Sequence, residues 1–232
     1  LKSVAAFDYN TGSQAAILEE AHSDYIRALA VHPTSPIILS CSDDYTIKQI
    51  SLRGKMTVEQ VYKGHDHFVM DVRFNPRDPS MFASCSLDNT IKFWSLNNKT
   101  ARFTLKGHDG GVNCITFLSD KERPFIASGS DDMTIRIWDY QQKYCVTTIT
   151  GHRSNVNSVL FHPIFPILIS TSEDETVLVW NTTTFKNEAV FSYGKERGWT
   201  IDAKDQMVAL GFDNGTVVLQ MGKDEVLVSM DT

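Results

Sequence analysis

The sequence predicts an all-β chain assembled from a repeated unit of short strands, and three observations carry that expectation. A small residue followed by His recurs as Ala21-His22, Gly64-His65, Gly107-His108 and Gly151-His152, at spacings of 43, 43 and 44 residues. A turn aspartate recurs as Asp44, Asp88, Asp132 and Asp174, with Asn214 as a degenerate fifth member, at spacings of 44, 44, 42 and 40. The segments between these markers are short β-branched and aromatic runs bounded by turn residues, and a fixed period of this size is the mark of a repeat architecture.

In chain order, residues 4–9 read as the third strand, and residues 15–20 as the fourth, of a unit whose first half is not in the sequence. Five complete units follow at about residues 25–64, 67–107, 111–151, 155–193 and 198–230. Turns such as His32-Pro33-Thr34-Ser35-Pro36, Asn75-Pro76-Arg77-Asp78-Pro79 and His162-Pro163-Ile164-Phe165-Pro166 separate first from second runs. Proline's fixed φ and missing donor do no damage there. The second run carries a Ser four residues ahead of the turn Asp: Ser40, Ser84, Ser128 and Ser170. The third begins two residues past the Asp with Thr46-Ile47, Thr90-Ile91, Thr134-Ile135 or Thr176-Val177, and in the last unit with Thr216-Val217, pairs that favour a strand. Six residues past the Asp stand Trp94, Trp138 and Trp180, whereas the first unit has Ile50 and the last Gln220. The outer units are the imperfect ones.

A His, Ser, Asp, Trp set at this period resembles the WD-repeat (WD40) family over essentially the whole chain. The resemblance implies a WD40-type β-propeller of four-stranded blades, about five and a half of them here out of a native seven-bladed ring. It implies one propeller domain over residues 1–232, incomplete at its N-terminus, with a half blade at residues 1–20. Because a ring closes to remove edge strands, the rest is expected upstream of Leu1, or else a second copy covers the open side. The set itself is implied to be a structural brace. Its members are His22, Ser40 and Asp44; His65, Ser84, Asp88 and Trp94; His108, Ser128, Asp132 and Trp138; and His152, Ser170, Asp174 and Trp180. A carboxylate taken out of water needs donors around it, and His, Ser and the indole N–H supply a chain of them. Only Trp138-Asp139 spells the family dipeptide in full; Trp94-Ser95 and Trp180-Asn181 vary its second letter.

Ser, His and Asp together invite a hydrolase reading. A nucleophile, however, is needed once, beside its base and an oxyanion pocket, and here the trio recurs four times at equal spacing. No G-x-S-x-G elbow, phosphate-binding loop, H-E-x-x-H or EF-hand pattern occurs, so neither an enzyme, a cofactor nor a metal site is expected. With 22 Lys and Arg against 28 Asp and Glu, a net charge of −6 and a pI near 5.6, the chain lacks the clustered cations that bind nucleic acid or anionic membranes. Residues 163–169 form the longest apolar stretch, seven residues with two prolines, where a helical membrane span takes roughly 20. Cys41, Cys85, Cys114 and Cys145 fall inside β-like runs without a C-x-x-C pair and read as reduced core thiols. Asn98-Lys99-Thr100 and Asn181-Thr182-Thr183 match the glycosylation tripeptide but read as turn residues of a cytosolic protein.

Further strings exceed what a brace requires: the run from Ser23 to Thr34 through Asp24-Tyr25-Ile26-Arg27, Gly64-His65-Asp66-His67-Phe68-Val69-Met70, Asn75-Pro76-Arg77-Asp78-Pro79-Ser80, Trp138-Asp139-Tyr140-Gln141 and Gly211-Phe212-Asp213-Asn214-Gly215. These closely resemble the first propeller of the beta-prime subunits of coatomer, the COPI vesicle coat; the alpha subunits share some of them. The resemblance implies capture of cytosolic C-terminal dilysine tails of membrane cargo for return from Golgi to endoplasmic reticulum. It implies other coatomer subunits as partners, and a cytoplasmic location, peripheral on Golgi membranes and COPI vesicles. By matching position it gives Asp24 and Asp43 one lysine and Asp131 the other, with Arg27 and Asn113 lining the pocket. The family's cations for the tail carboxylate precede Leu1, so Arg27 is the one nearby cation.

The residues themselves agree with an acidic rim. The position just before each turn Asp holds Asp43, Leu87, Asp131, Glu173 and Asp213, four acids of five, and the positions after each His bring in Asp24, Arg27, Met70, Asn113 and Asn157. Converging carboxylates suit ammonium groups. Solvated turn residues with no ligand are the plain alternative. So is a generic WD-repeat scaffold, whose rim would take phosphorylated or extended peptides through Arg or aromatic residues, or an enzyme with an unrepeated constellation at the channel.

Overall fold

The computed structural model describes residues 2–222 and 227–230; residue 1, residues 223–226 and residues 231–232, which include parts of the first and last expected blades, lie outside the described residues. Among the described residues there is no helix, and the strands form five four-stranded antiparallel blades and one two-stranded sheet. The chain divides into two compact units, Leu1–Lys106 and Gly107–Thr232.

In the first unit, β1 (Val4–Phe7) pairs with β2 (Gln14–Leu18) in a two-stranded sheet. The first blade follows as β3 (Ile26–Val31), β4 (Ile37–Ser42), β5 (Thr46–Ser51) and β6 (Thr57–Lys63). The second is β7 (Val69–Phe74), β8 (Met81–Ser86), β9 (Thr90–Ser95) and β10 (Asn98–Lys106). Each blade is a simple meander, every strand pairing with its chain neighbour. Central strands are buried on both faces, as in β8 with Phe82, Ala83, Ser84, Cys85 and Ser86 all buried, so they read as runs of small and apolar residues rather than as alternation. The two blades pack through Leu39, Cys41, Ile47, Tyr62, Val72, Phe82 and Trp94. The Phe82 and Trp94 rings stack with centroids 6.1 Å apart, and Tyr62 meets Phe82 edge-on at 4.9 Å.

The second unit holds three blades. They are β11 (Val112–Phe117), β12 (Phe125–Ser130), β13 (Thr134–Asp139) and β14 (Tyr144–Thr150); then β15 (Val156–Phe161), β16 (Ile167–Ser172), β17 (Val177–Asn181) and β18 (Asn187–Phe191); then β19 (Gly198–Lys204), β20 (Met207–Phe212), β21 (Gly215–Gln220) and β22 (Leu227–Met230). Ala127, Ile135, Ile137, Val156, Val159, Leu168, Leu178 and Trp180 fill the first interface. Ile167, Ile169, Val177, Ile201, Val208, Leu210, Phe212 and Val217 fill the second. Of the cysteines, Cys41, Cys85 and Cys114 are buried and Cys145 is half-buried. Burial pushes the Cys41 thiol well above its ordinary range.

One irregularity recurs. The first strand of every blade slips register by one residue against the second, between Ile26 and Ala28, Val69 and Asp71, Val112 and Cys114, Val156 and Ser158, and Gly198 and Thr200. The skipped residues are Arg27, Met70, Asn113, Asn157 and Trp199. A bulge leaves its extra residue out of the ladder and re-aims its side chain, so five equivalent side chains are released from strand alternation at one end of their blades.

Candidate functional site

Each brace aspartate is built into the turn between second and third strands. In the blade of β7–β10, His65 Nδ1 lies 2.7 Å from Asp88 Oδ2, His65 Nε2 lies 2.8 Å from Ser84 Oγ, and Trp94 Nε1 donates to that Oγ at 2.9 Å. The chain repeats at His108, Asp132, Ser128 and Trp138 with 2.7, 2.7 and 2.8 Å, and at His152, Asp174, Ser170 and Trp180 with 2.9, 2.8 and 2.9 Å. In the first blade His22 reaches Asp44 at 2.8 Å and Ser40 at 2.7 Å, and Ile50 fills the Trp position with apolar bulk. The direction of donation follows: indole N–H to Ser oxygen, Ser O–H to His Nε2, His Nδ1–H to carboxylate.

The carboxylate collects further donors. Asp132 Oδ1 accepts the Thr134 amide at 2.9 Å and the Thr134 hydroxyl at 2.7 Å, while Oδ2 also accepts the Asp109 amide at 3.1 Å. Thr46, Thr90 and Thr176 do the same for Asp44, Asp88 and Asp174. A third recurring hydroxyl completes the turn: Ser42, Ser86, Ser130 and Ser172 each accept the Asp amide and donate to a carbonyl near the start of the first strand. The sequence shows the threonines as strand starters and these serines as part of a Ser-x-Asp turn, and gives neither a hydrogen-bonding role, although both recur at fixed offsets from the Asp. Burial alone pushes the Asp44, Asp88 and Asp132 carboxyls up, but their His and Thr hydrogen bonds outweigh it and hold all three well below the usual carboxylate range. Asp174 is also lowered, and burial lowers His152, whose neutral ring is the form that donates through Nδ1 and accepts at Nε2. All four carboxylates and all four imidazoles are thus committed to protein partners, a fixed turn rather than a nucleophile and base.

That turn presents the acidic positions. The residue before each brace Asp donates its amide to the chain just ahead of the bulge: Asp43 to Tyr25, Leu87 to Phe68, Asp131 to Gly111, Glu173 to Asn155, and in the last blade Asp213 to Arg197. In three blades its side chain also takes a hydrogen bond from the bulge side chain: Asp43 from Arg27, Asp131 from Asn113 and Asp213 from Trp199. In the first unit Arg27 grips Asp43 through Nε at 2.6 Å and Nη2 at 2.5 Å, with the Asp43 side chain 3% exposed and that of Arg27 40%. The Asp43 hydrogen bond raises Arg27 above its ordinary value, and the charge of Asp24 adds to it. Arg27 also lies over the Phe68 ring at 5.9 Å. Asp24, half-buried, accepts the Tyr25 amide at 2.8 Å. Asp24, Arg27 and Asp43 therefore form one corner with a net negative charge, in which Asp43 faces its own arginine and Asp24 is the more open carboxylate.

In the second unit the bulged Asn113 donates to Asp131 Oδ1 at 2.7 Å and to the Val156 carbonyl at 3.3 Å, which ties two blades together. Asn157 likewise donates to the Gly198 carbonyl at 2.9 Å. Asp131 meets a neutral amide rather than a cation. Asp213 instead takes Arg197 Nε at 2.8 Å and Trp199 Nε1 at 2.7 Å, with Arg197 lying over the Trp199 ring at 5.1 Å. The acids of the expected rim thus differ in kind, two bound by the chain's own arginines and Asp131 by an amide. The bulge that makes these pairings leaves no mark in the hydrophobic pattern, so residue types alone could not tell them apart. Among the described residues no group of His, Cys, Asp and Glu is placed to hold a metal ion.

The family description "WD domain, G-beta repeat" matches residues 12–51, 56–95, 99–139 and 143–181. Each matched segment ends with the last residue of a third strand, at Ser51, Ser95, Asp139 or Asn181. Among relatives, the chain is 51% identical over 179 residues to coatomer subunit beta′ of Rattus norvegicus, which covers 76% of this chain and 20% of that protein. It is 50% identical over 175 residues to coatomer subunit beta′ of Drosophila melanogaster, 75% of this chain and 19% of the relative. To a probable coatomer subunit beta′ of Schizosaccharomyces pombe it is 42% identical over 175 residues, 75% and 22% of the two chains. The chain spans about a fifth of the length of the curated relatives it matches.

Proposed function

Given that the chain belongs to the WD-repeat (WD40) family, we propose that it is the cargo-reading propeller of a coatomer beta-prime subunit, which takes the C-terminal dilysine tails of membrane proteins and works with other coatomer subunits on the cytosolic side of Golgi membranes and COPI vesicles. The observation that carries the reading is identity of about half, over three quarters of the chain, to proteins named coatomer subunit beta′. The chemistry of the corners supports it. Lysine is a compact point charge that shares acceptors without demanding a planar fork. Among the described residues neither Asp24 nor Asp131 forms an ion pair; Asp24 accepts the Tyr25 amide and Asp131 the Asn113 amide. Asp43 takes part through its charge and by holding Arg27, whose guanidinium keeps donors for a tail carboxylate.

The test is isothermal calorimetry with a peptide ending in a dilysine motif, a control with both lysines replaced by alanine, and a C-terminally amidated control. Binding is expected for the first and none for the second, with amidation weakening it through Arg27. Asp24→Asn and Asp131→Asn are each expected to weaken binding about fivefold, the loss of roughly 1 kcal/mol for one exposed ion pair. Equal binding of the dilysine and dialanine peptides overturns the proposal.

A further inference from the structure

The third of the expected prolyl turns does more than punctuate. His162 Nδ1 accepts the amides of Ile164 and Phe165, each at 3.1 Å, so that nitrogen is unprotonated and Nε2 carries the ring hydrogen. Burial lowers the His162 pKa as well, which keeps the ring neutral. His32 caps the equivalent turn of the first blade in the same way, accepting Thr34 and Ser35 amides at 3.1 and 2.9 Å. What sets His162 apart is its other nitrogen: among the described residues Nε2 is buried with no protein partner, in a residue 6% exposed. Thr182, just past β17 and 2% exposed, has a buried hydroxyl that is also unpartnered. Both residues line one cavity of about 180 Å³, together with Arg123, Leu118, Asp120 and Phe165.

Arg123 and Asp120 line this cavity as an ion pair with no net charge, and the Asp120 oxygens are engaged by Arg123 and by the Glu122 amide at 2.8 Å. The Arg123 Nε donates to Asp120 at 2.7 Å and its Nη1 to the Thr182 carbonyl at 2.7 Å, an arrangement that fixes the guanidinium plane and, among the described residues, leaves Nη2 without a protein acceptor. Three donors then line one space: His162 Nε2–H, the Thr182 hydroxyl and Arg123 Nη2. A buried donor left unmet costs about 1–3 kcal/mol, so an occupant with several lone pairs is favoured there. A single carbonyl oxygen offers two lone pairs, whereas a carboxylate offers about four and can meet all three donors at once. The volume admits a side-chain carboxylate, and Ile164, 59% exposed, stands beside the opening as an apolar contact for the residue that carries it.

We propose that this cavity is a binding site for an acidic side chain of a partner polypeptide, taken by Arg123, His162 and Thr182. It stands apart from the acidic corners and uses none of their residues. The test uses the ¹⁵N-labelled chain at neutral pH, titrated with acetate and, separately, with acetamide at matched ionic strength. The Nε2–H resonance of His162 and the amides of Ile164 and Phe165 are followed. Acetate is expected to shift them saturably, and acetamide to bind at least fivefold more weakly. Thr182→Val is expected to weaken acetate binding by about five- to tenfold, the loss of one charge-assisted hydrogen bond. No shift with acetate, or equal binding of the two probes, overturns the proposal, and the comparison needs only the unaltered protein should the variant fail to fold.

Discussion

The blade of β11–β14 and the blade of β19–β22 share a meander and a bulged first strand, yet they hold their inner turns by different means. In the former, Ser128, Asp132 and Trp138 stand in a buried hydrogen-bond chain with His108. In the latter the same offsets carry Leu210, Asn214 and Gln220: Leu210 is fully buried in an apolar cluster, and the Asn214 backbone N–H donates to the Lys195 carbonyl at 3.3 Å. The sheet forms in both, so the brace is not what makes a blade. Its contribution is a turn whose every polar group has a partner, which presents the adjoining residue, Asp131, in one orientation.

The sharpest way to break this comparison is to remove the acceptor. Asp132→Ala leaves the His108 N–H, two amides and the Thr134 hydroxyl unmet, and a loss of about 3–5 kcal/mol in equilibrium urea unfolding is expected. Asn214→Ala at the matching position should change stability by less than about 0.5 kcal/mol. Equal losses at the two positions would mean that the brace adds nothing.

At the Ser position the order reverses. Leu210→Ala opens a cavity in an apolar cluster and should cost about 3 kcal/mol. Ser128→Ala removes a relay between Trp138 and His108, and about 1–2 kcal/mol is expected. The same urea titrations, followed by tryptophan fluorescence, rank the two.

Acid should act chiefly on the braced blades, although the Arg197 and Trp199 hydrogen bonds also lower Asp213, an exposed carboxyl of the unbraced blade. A carboxyl whose folded-state pKa is depressed adds stability above its unfolded value, near 4, and that stability is lost as the pH falls toward the folded value. Asp44, Asp88, Asp132 and Asp174 are all lowered, so the protein should lose stability as the pH drops below about 4. Asp132→Asn should flatten that part of the profile, with denaturant midpoints measured at successive pH values as the check. An unchanged slope would assign the acid sensitivity to other groups.

How much of this was legible beforehand depended on whether a feature had a period. The brace residues and the strands around them follow a fixed spacing, so Asp88, Ser84 and Trp94 could be placed from the sequence alone. Thr134 and Ser130 have the same regularity, but the hydrogen bonds of their hydroxyls are not legible because β-branching and turn chemistry already account for those residue types. The bulges at Arg27 and Asn113 could not be read, because a one-residue slip is set by how the strand starts meet the turn rather than by hydrophobic pattern. Whether an acid at the rim is open or paired follows from that slip, and so Asp43 and Asp131 looked alike.

The smallest effect concerns the turn backbone. The residue after each brace Asp is left-handed, with φ of 68° at Tyr45, 66° at Asn89, 65° at Met133 and 67° at Glu175. Asparagine tolerates this conformation, but a residue such as methionine pays a steric cost of about 1 kcal/mol between Cβ and the backbone. Tyr45 recovers some of it by packing against His67 and Phe68, with ring centroids 5.9 Å away in each case. Met133 is 47% exposed, so little contact offsets its strain. Met133→Asn should therefore stabilise the protein by about 0.5–1 kcal/mol, read as a rise in the urea midpoint at unchanged slope. Tyr45→Asn should gain less, because the ring contacts are lost with the strain. If the two substitutions stabilise equally, the Tyr45 rings add nothing to the first blade, and the turn geometry is set by the Asp and Thr hydrogen bonds alone.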